Sequence, residues 1–164
     1  MKWLAWSGRW SYLLVAVFCF GSVLLALYLQ HYEFVLPCPL CIFQRIGFIV
    51  CGGLALLAAL FPWRNFVWPI WPLSIGVAAI AGAGVSIRHI QIQQSLASDS
   101  PQSCGAGLDM MWQTQSAPDL IVSVLAGHGD CTVIDWQLGF LTLPMLALAG
   151  FLFILAIAVA NAAA

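Results

Sequence analysis

Charge is scarce in this chain. Five Lys and Arg and six Asp and Glu make up 7% of 164 residues, against 63% hydrophobic residues and a mean hydropathy of +0.99. A soluble domain of this size has no interior large enough for so much apolar surface, so lipid is the solvent for most of the chain. The few basic residues and a net charge of −1 exclude a nucleic-acid partner. No run of like charges offers a polybasic tether to a membrane surface. Tyr28-Leu29-Gln30-His31 lacks a small-x-small cleavage site, and the apolar run before it is longer than a secretory h-region. That run is therefore read as a retained helix, although Lys2 and Arg9 give it a positive leading end. Residue 42 is Ile, not His, which excludes a c-type haem attachment at Cys41.

What is present is four apolar segments, at about 11–29, 42–61, 66–87 and 138–160. Each is close to the ~20 residues that an α-helix needs to cross ~30 Å of hydrocarbon. The expected fold is an all-α membrane protein: a single four-transmembrane-helix bundle with a long loop at about 88–137, between helices 3 and 4. With the N-terminus in the cytoplasm, Lys2, Arg9 and Arg64 lie inside, while Arg45 and Arg88 fall at the outer boundary. That is a modest basic excess under the positive-inside rule, and it puts both termini in the cytoplasm. Trp3, Trp6, Trp10, Trp63, Trp68, Trp71 and Trp136 lie near predicted boundaries, as interfacial anchors do. Within the long loop, Leu120, Ile121, Val124 and Leu125 have helix-like spacing. They form either an amphipathic segment on the bilayer surface or a piece of loop packed on the bundle.

Six cysteines stand out against this background. Cys38-Pro39-Leu40-Cys41 sits where a short polar turn enters the second apolar segment. Sulfurs at a helix N-terminus meet unsatisfied N–H groups and the positive end of the helix dipole, both of which favour thiolate. Pro39 fits an early helical position, where its missing N–H costs nothing. Arg45 follows Cys41 by one helical turn and shares its face, adding a cation. Redox use, a structural disulfide and half of a metal site are the three readings of such a pair. A closed zinc site wants four ligands, and no second CxxC exists, so no metal is assigned. Cys104 and Cys131 lie in the long loop, flanked by Gly105, Gly107, Gly127 and Gly129. They are either a stabilising loop disulfide or an exchangeable one presented to partners. On the same membrane side as a CxxC, a relay is the better reading.

Arg88 and His89 are expected to end the third helix at the outer boundary, where cations answer the dipole. The functional alternative sets them with Arg45 around the carbonyl oxygens of a lipid-soluble quinone, with His89 managing protons. Cys19 and Cys51 lie mid-membrane and are expected to pack as small apolar side chains. Gly76, Gly82 and Gly84 point to close helix contact in the third span.

An ordered set of residues resembles the bacterial disulfide bond formation protein B family. It comprises Cys38-Pro39-Leu40-Cys41 with Gln44-Arg45, then Arg88-His89, Cys104, Gly129-Asp130-Cys131, Trp136 and Leu143-Pro144. The likeness covers nearly the whole chain. The resemblance implies a bacterial inner-membrane protein that reoxidises a periplasmic DsbA-like dithiol and passes two electrons to a quinone, ubiquinone or menaquinone. It further implies that Cys104 and Cys131 form the disulfide attacked by the partner, with Cys104 making the mixed disulfide. Cys131 then exchanges with Cys38, and Cys41 is released as a thiolate towards the quinone, assisted by Arg45. Vitamin K epoxide reductase-like enzymes also join membrane helices, a CxxC and quinones, but their loop cysteines precede the CxxC, the reverse of the order here. A non-enzymatic membrane protein held by disulfides or zinc is the alternative from another class.

Overall fold

A computed structural model describes residues 2–32, 38–60, 70–95, 119, 137–138, 141–142 and 143–163. Its helices are α1 (Lys2–Tyr32), α2 (Pro39–Leu60), α3 (Ile70–Ser95) and α4 (Leu143–Ala163). All four carry a stretch long and apolar enough to cross a membrane, so the chain is a four-helix membrane bundle. Two short strands of two residues each precede α4: β1 (Gln137–Leu138) pairs antiparallel with β2 (Leu141–Thr142), Gln137 opposite Thr142 and Leu138 opposite Leu141.

The helices depart from the apolar segments in instructive ways. At 31 residues, α1 runs past both ends of its predicted span. Its length of about 46 Å exceeds the hydrocarbon thickness, since polarity ends a membrane crossing without ending a helix. Its crossing segment is Arg9–Tyr32. Pro39 is the first residue of α2, which brings Cys41 inside the helix. Pro72 and Pro144 lie in the first turns of α3 and α4, where no intrahelical N–H bond is lost. The fourth helix starts at Leu143, not near 138, because β1 and β2 hold Gln137–Leu138 and Leu141–Thr142 in extended form. The third continues to Ser95, so Arg88 and His89 do not terminate it, and the reading of both as C-terminal dipole partners is corrected. Residues 88–95 of the predicted loop are thus helix; 96–118 and 120–136, with Leu120 to Leu125, lie outside the described residues.

Within the bundle α2 packs along α1 and α3, and α3 along α4, whereas α1 and α4 meet at few points. The core centres on Phe48 of α2 and Phe151 of α4, stacked with centroids 4.3 Å apart at 18°. Phe151 is fully buried because Gly82 of α3 gives it room: a Cβ there would lie 2.4 Å from the ring. Close approach therefore explains Gly82, while Gly84 faces open space and Gly76 meets only Leu155 at 3.8 Å, which corrects the expectation for those two. Cys19 and Cys51 are both fully buried in this core. Large apolar side chains such as Val17, Leu24, Leu73, Val77 and Val159 cover the outside, the arrangement that lipid contact requires. Near the ends of the chain, Ser11 Oγ donates to Asn161 Oδ1 at 3.0 Å and joins α1 to α4.

Candidate functional site

The site begins at the first turn of α2. Cys38 is the residue just ahead of the helix, and its carbonyl accepts the first helical bond, from Ile42 N at 3.2 Å. Its Sγ accepts the backbone N–H of Cys41 at 3.3 Å. Cys38 thus occupies the N-cap position with sulfur in place of the usual side-chain oxygen, satisfying one of the donors that every helix start leaves open. The two sulfurs are 3.0 Å apart, as neighbouring thiols without a bond between them.

Cys38 is only 7% exposed, and its surroundings explain why α3 is long. A second small core holds Cys38, Leu40 and Ile92, with Cys41, Phe43 and Val85 against it. Ile92 lies beyond the predicted end of the third helix, so this packing stabilises the extra turns. The same turns bring His89, 2% exposed, to the dithiol, with Nε2 at 3.6 Å from Cys38 Sγ. Arg88, the preceding residue, is exposed and is not among the residues that line the cavity described next.

Cys41 faces differently. With Gln44, Arg45 and Phe48 of α2 it lines a cavity of about 160 Å³, closed by α1 (Leu29, Ala26) and α4 (Ala147). Arg45 reaches across to α1, where it donates to Gln30 Oε1 and, at 3.3 Å, to Ala26 O. Gln44 is 5% exposed, and its Nε2 has no hydrogen-bond partner among the described residues. An unpartnered buried amide is costly, all the more so where no water reaches it. A second hollow, an open apolar groove of about 840 Å³, runs along the seam of α1 and α4 and shares Phe18 and Leu146 with the first.

The family of Disulfide bond formation protein DsbB matches residues 8–161. The chain belongs to the DsbB family. It is 41% identical to Disulfide bond formation protein B of Methylobacillus flagellatus over 145 residues, covering 88% of this chain and 87% of that one. With the protein of the same name from Chromobacterium violaceum it shares 38% identity, over 84% and 82% of the two chains. The Acinetobacter baylyi protein is 34% identical over 95% and 91%.

In this DsbB-family chain, the fold brings together Cys38, Cys41 and His89 on one side and Cys41, Gln44 and Arg45 on the other. Cys104 and Cys131 lie outside the described residues. Two contributors have no role in the sequence reading: Gln44, named there only beside Arg45 in the family motif, and Gln30. Gln44 carries a signal that was available, as a polar residue on an apolar helix at i+3 from Cys41. Gln30 carries none, because its partner belongs to another helix.

Proposed function

We propose that this chain is an inner-membrane oxidoreductase that forms disulfides, oxidising the dithiol of a periplasmic DsbA-like protein and passing the electron pair to a membrane quinone. Membership of a family of disulfide bond formation proteins supports the thiol–disulfide partner. The observation that carries the acceptor is the cavity in which Cys41 shares one wall with Arg45 and with a Gln44 amide that has no partner among the described residues.

The lining fits a quinone head group. A quinone is flat and apolar with carbonyl acceptors at its rim, and this cavity is mainly apolar with N–H donors on Gln44 and Arg45. Gln44 Nε2 and the Arg45 guanidinium would hold the carbonyl oxygens, and the open groove along α1 and α4 would take a prenyl tail. A bound quinone supplies an acceptor for two electrons and two protons.

The remaining steps belong to the cysteines. The partner's dithiol attacks the Cys104–Cys131 disulfide, with Cys104 forming the mixed disulfide; a second partner thiol displaces it, and the partner leaves oxidised. Cys131 then attacks Cys38 of the Cys38–Cys41 disulfide and Cys41 leaves as thiolate. Cys104 resolves the Cys131–Cys38 bond, regenerating the loop disulfide and leaving Cys38 and Cys41 reduced. Closure of Cys38–Cys41 then gives up two electrons and two protons on the cavity side. Exchange of this kind depends on thiolate population and access. The Cys41 N–H and the α2 N-terminus favour negative charge on Cys38 Sγ, and His89 Nε2 is within reach to hold its proton. On this reading His89 serves Cys38 rather than the quinone, and Arg88 has no part in the cavity. Both termini lie in the cytoplasm, and the four redox cysteines face the periplasm.

The test mixes purified protein with a reduced DsbA-like protein and a soluble quinone and follows quinone absorbance. Bleaching that requires both the dithiol partner and Cys41 is expected. Absence of thiol-dependent bleaching, with the partner's thiols unconsumed, overturns the reading.

A further inference from the structure

Cys38, Cys41 and His89 offer three soft donors from two helices, and their ligand atoms all lie within 4.8 Å of one another. We infer that the Cys38–Cys41 dithiol and His89 together form a state-dependent binding site for a zinc-class divalent cation, open only while the pair is reduced.

The distances carry it. Zn–S bonds of about 2.3 Å and Zn–N bonds of about 2.0 Å at tetrahedral angles put a sulfur and a nitrogen about 3.5 Å apart, and two sulfurs about 3.8 Å apart. Cys38 Sγ and His89 Nε2 are already 3.6 Å apart. The two sulfurs, at 3.0 Å, need to open by less than an ångström, a rotamer adjustment of the partly exposed Cys41. Two thiolates and one imidazole leave a fourth position for water or an incoming thiolate, the pattern of an open zinc site and not of a closed structural one. On binding, each thiol gives its proton to solvent and its sulfur bonds the metal; no electron moves. Closure of the Cys38–Cys41 disulfide removes both sulfur ligands, so metal and disulfide exclude each other. The cation is therefore not a resident cofactor but a trap for the reduced enzyme.

The inference rests on the dithiol and its neighbour and not on which acceptor oxidises the pair, so it stands or falls apart from the quinone reading. Binding is measured on full-length protein in detergent micelles carrying Cys104→Ser and Cys131→Ser, which removes the loop thiols as rival ligands. Zinc is titrated against a chromophoric chelator, and Co²⁺ serves as a spectroscopic probe. The reduced protein is expected to take up one cation per chain, with thiolate-to-cobalt charge-transfer bands and tetrahedral d–d bands, and the oxidised protein none. His89→Ala should weaken zinc by about tenfold or more while both thiols remain titratable. Zinc should also shield Cys38 and Cys41 from maleimide in the chain that retains His89, a readout that does not depend on the His89 variant folding. Equal uptake by oxidised protein, absence of uptake by reduced protein, or undiminished affinity in a folded His89→Ala protein overturns the site.

Discussion

Arg45 of α2 donates a hydrogen bond to Gln30 of α1, so the cation beside the Cys41 cavity is fixed by the neighbouring helix and not by its own. The second donor contact, to Ala26 O, comes from the same helix. A guanidinium held by two acceptors is oriented before any ligand arrives, and pre-orientation is what a weakly polar carbonyl needs.

Gln30→Leu is expected to raise the apparent KM for quinone by about tenfold, the equivalent of one charge-assisted hydrogen bond. Arg45→Met should raise it further. Steady-state quinone reduction checks both, and an unchanged KM in Gln30→Leu would show that the α1 contact does not position Arg45.

Gln44→Leu separates stability from function. Replacing a buried amide that lacks a partner among the described residues by an apolar side chain of similar volume is expected to leave the melting temperature in detergent unchanged or raised, since an unpaired buried donor costs about 1–3 kcal/mol. The apparent quinone KM should rise severalfold in the same protein. A fall in melting temperature without a change in KM would assign Gln44 a structural role.

The cysteines divide by position. Cys41→Ser is expected to abolish quinone reduction, while Cys19→Ala and Cys51→Ala retain turnover, because both lie fully buried in the core. Their packing cost appears as a modest loss of thermal stability, about 1–2 kcal/mol for a small buried side chain. Loss of turnover in a normally folded Cys19→Ala protein would contradict this division.

Glycine substitutions test the helix packing. Gly82→Ala puts a Cβ into the Phe151 ring and should destabilise the bundle by about 1–3 kcal/mol. Gly84→Ala meets nothing within 4 Å and should be neutral or slightly stabilising, as alanine favours the helix. Thermal unfolding of the two variants in one detergent gives the comparison.

Four crossings were legible because each is a long run with almost no charge, and the CxxC was legible because its spacing and its place at a helix start are local. The end of α3 was not. Arg88-His89 marks where hydropathy falls, but the helix follows packing, and Ile92 in the small core with Cys38 and Leu40 carries it on. Ala79, Gly82, Ser86, His89 and Ile92 form one buried stripe at helical spacing, but small, polar and apolar residues are mixed along it, so hydrophobic periodicity does not mark it in the sequence. That stripe also separates the inward His89 from the outward Arg88, two residues that composition treats alike. The Arg45–Gln30 contact had no local signature, since it depends on how two helices register.

The hydrogen bond from Ser11 to Asn161 joins α1 and α4 near the chain ends, and the edge-to-face contact of Phe18 with Phe153, centroids 5.2 Å apart, joins them again farther along. The hollow lined by Cys41, Gln44 and Arg45 lies beyond that second contact, between the last turns of α1 and the first turns of α4, so these two helix ends are what a molecule arriving from the bilayer meets first.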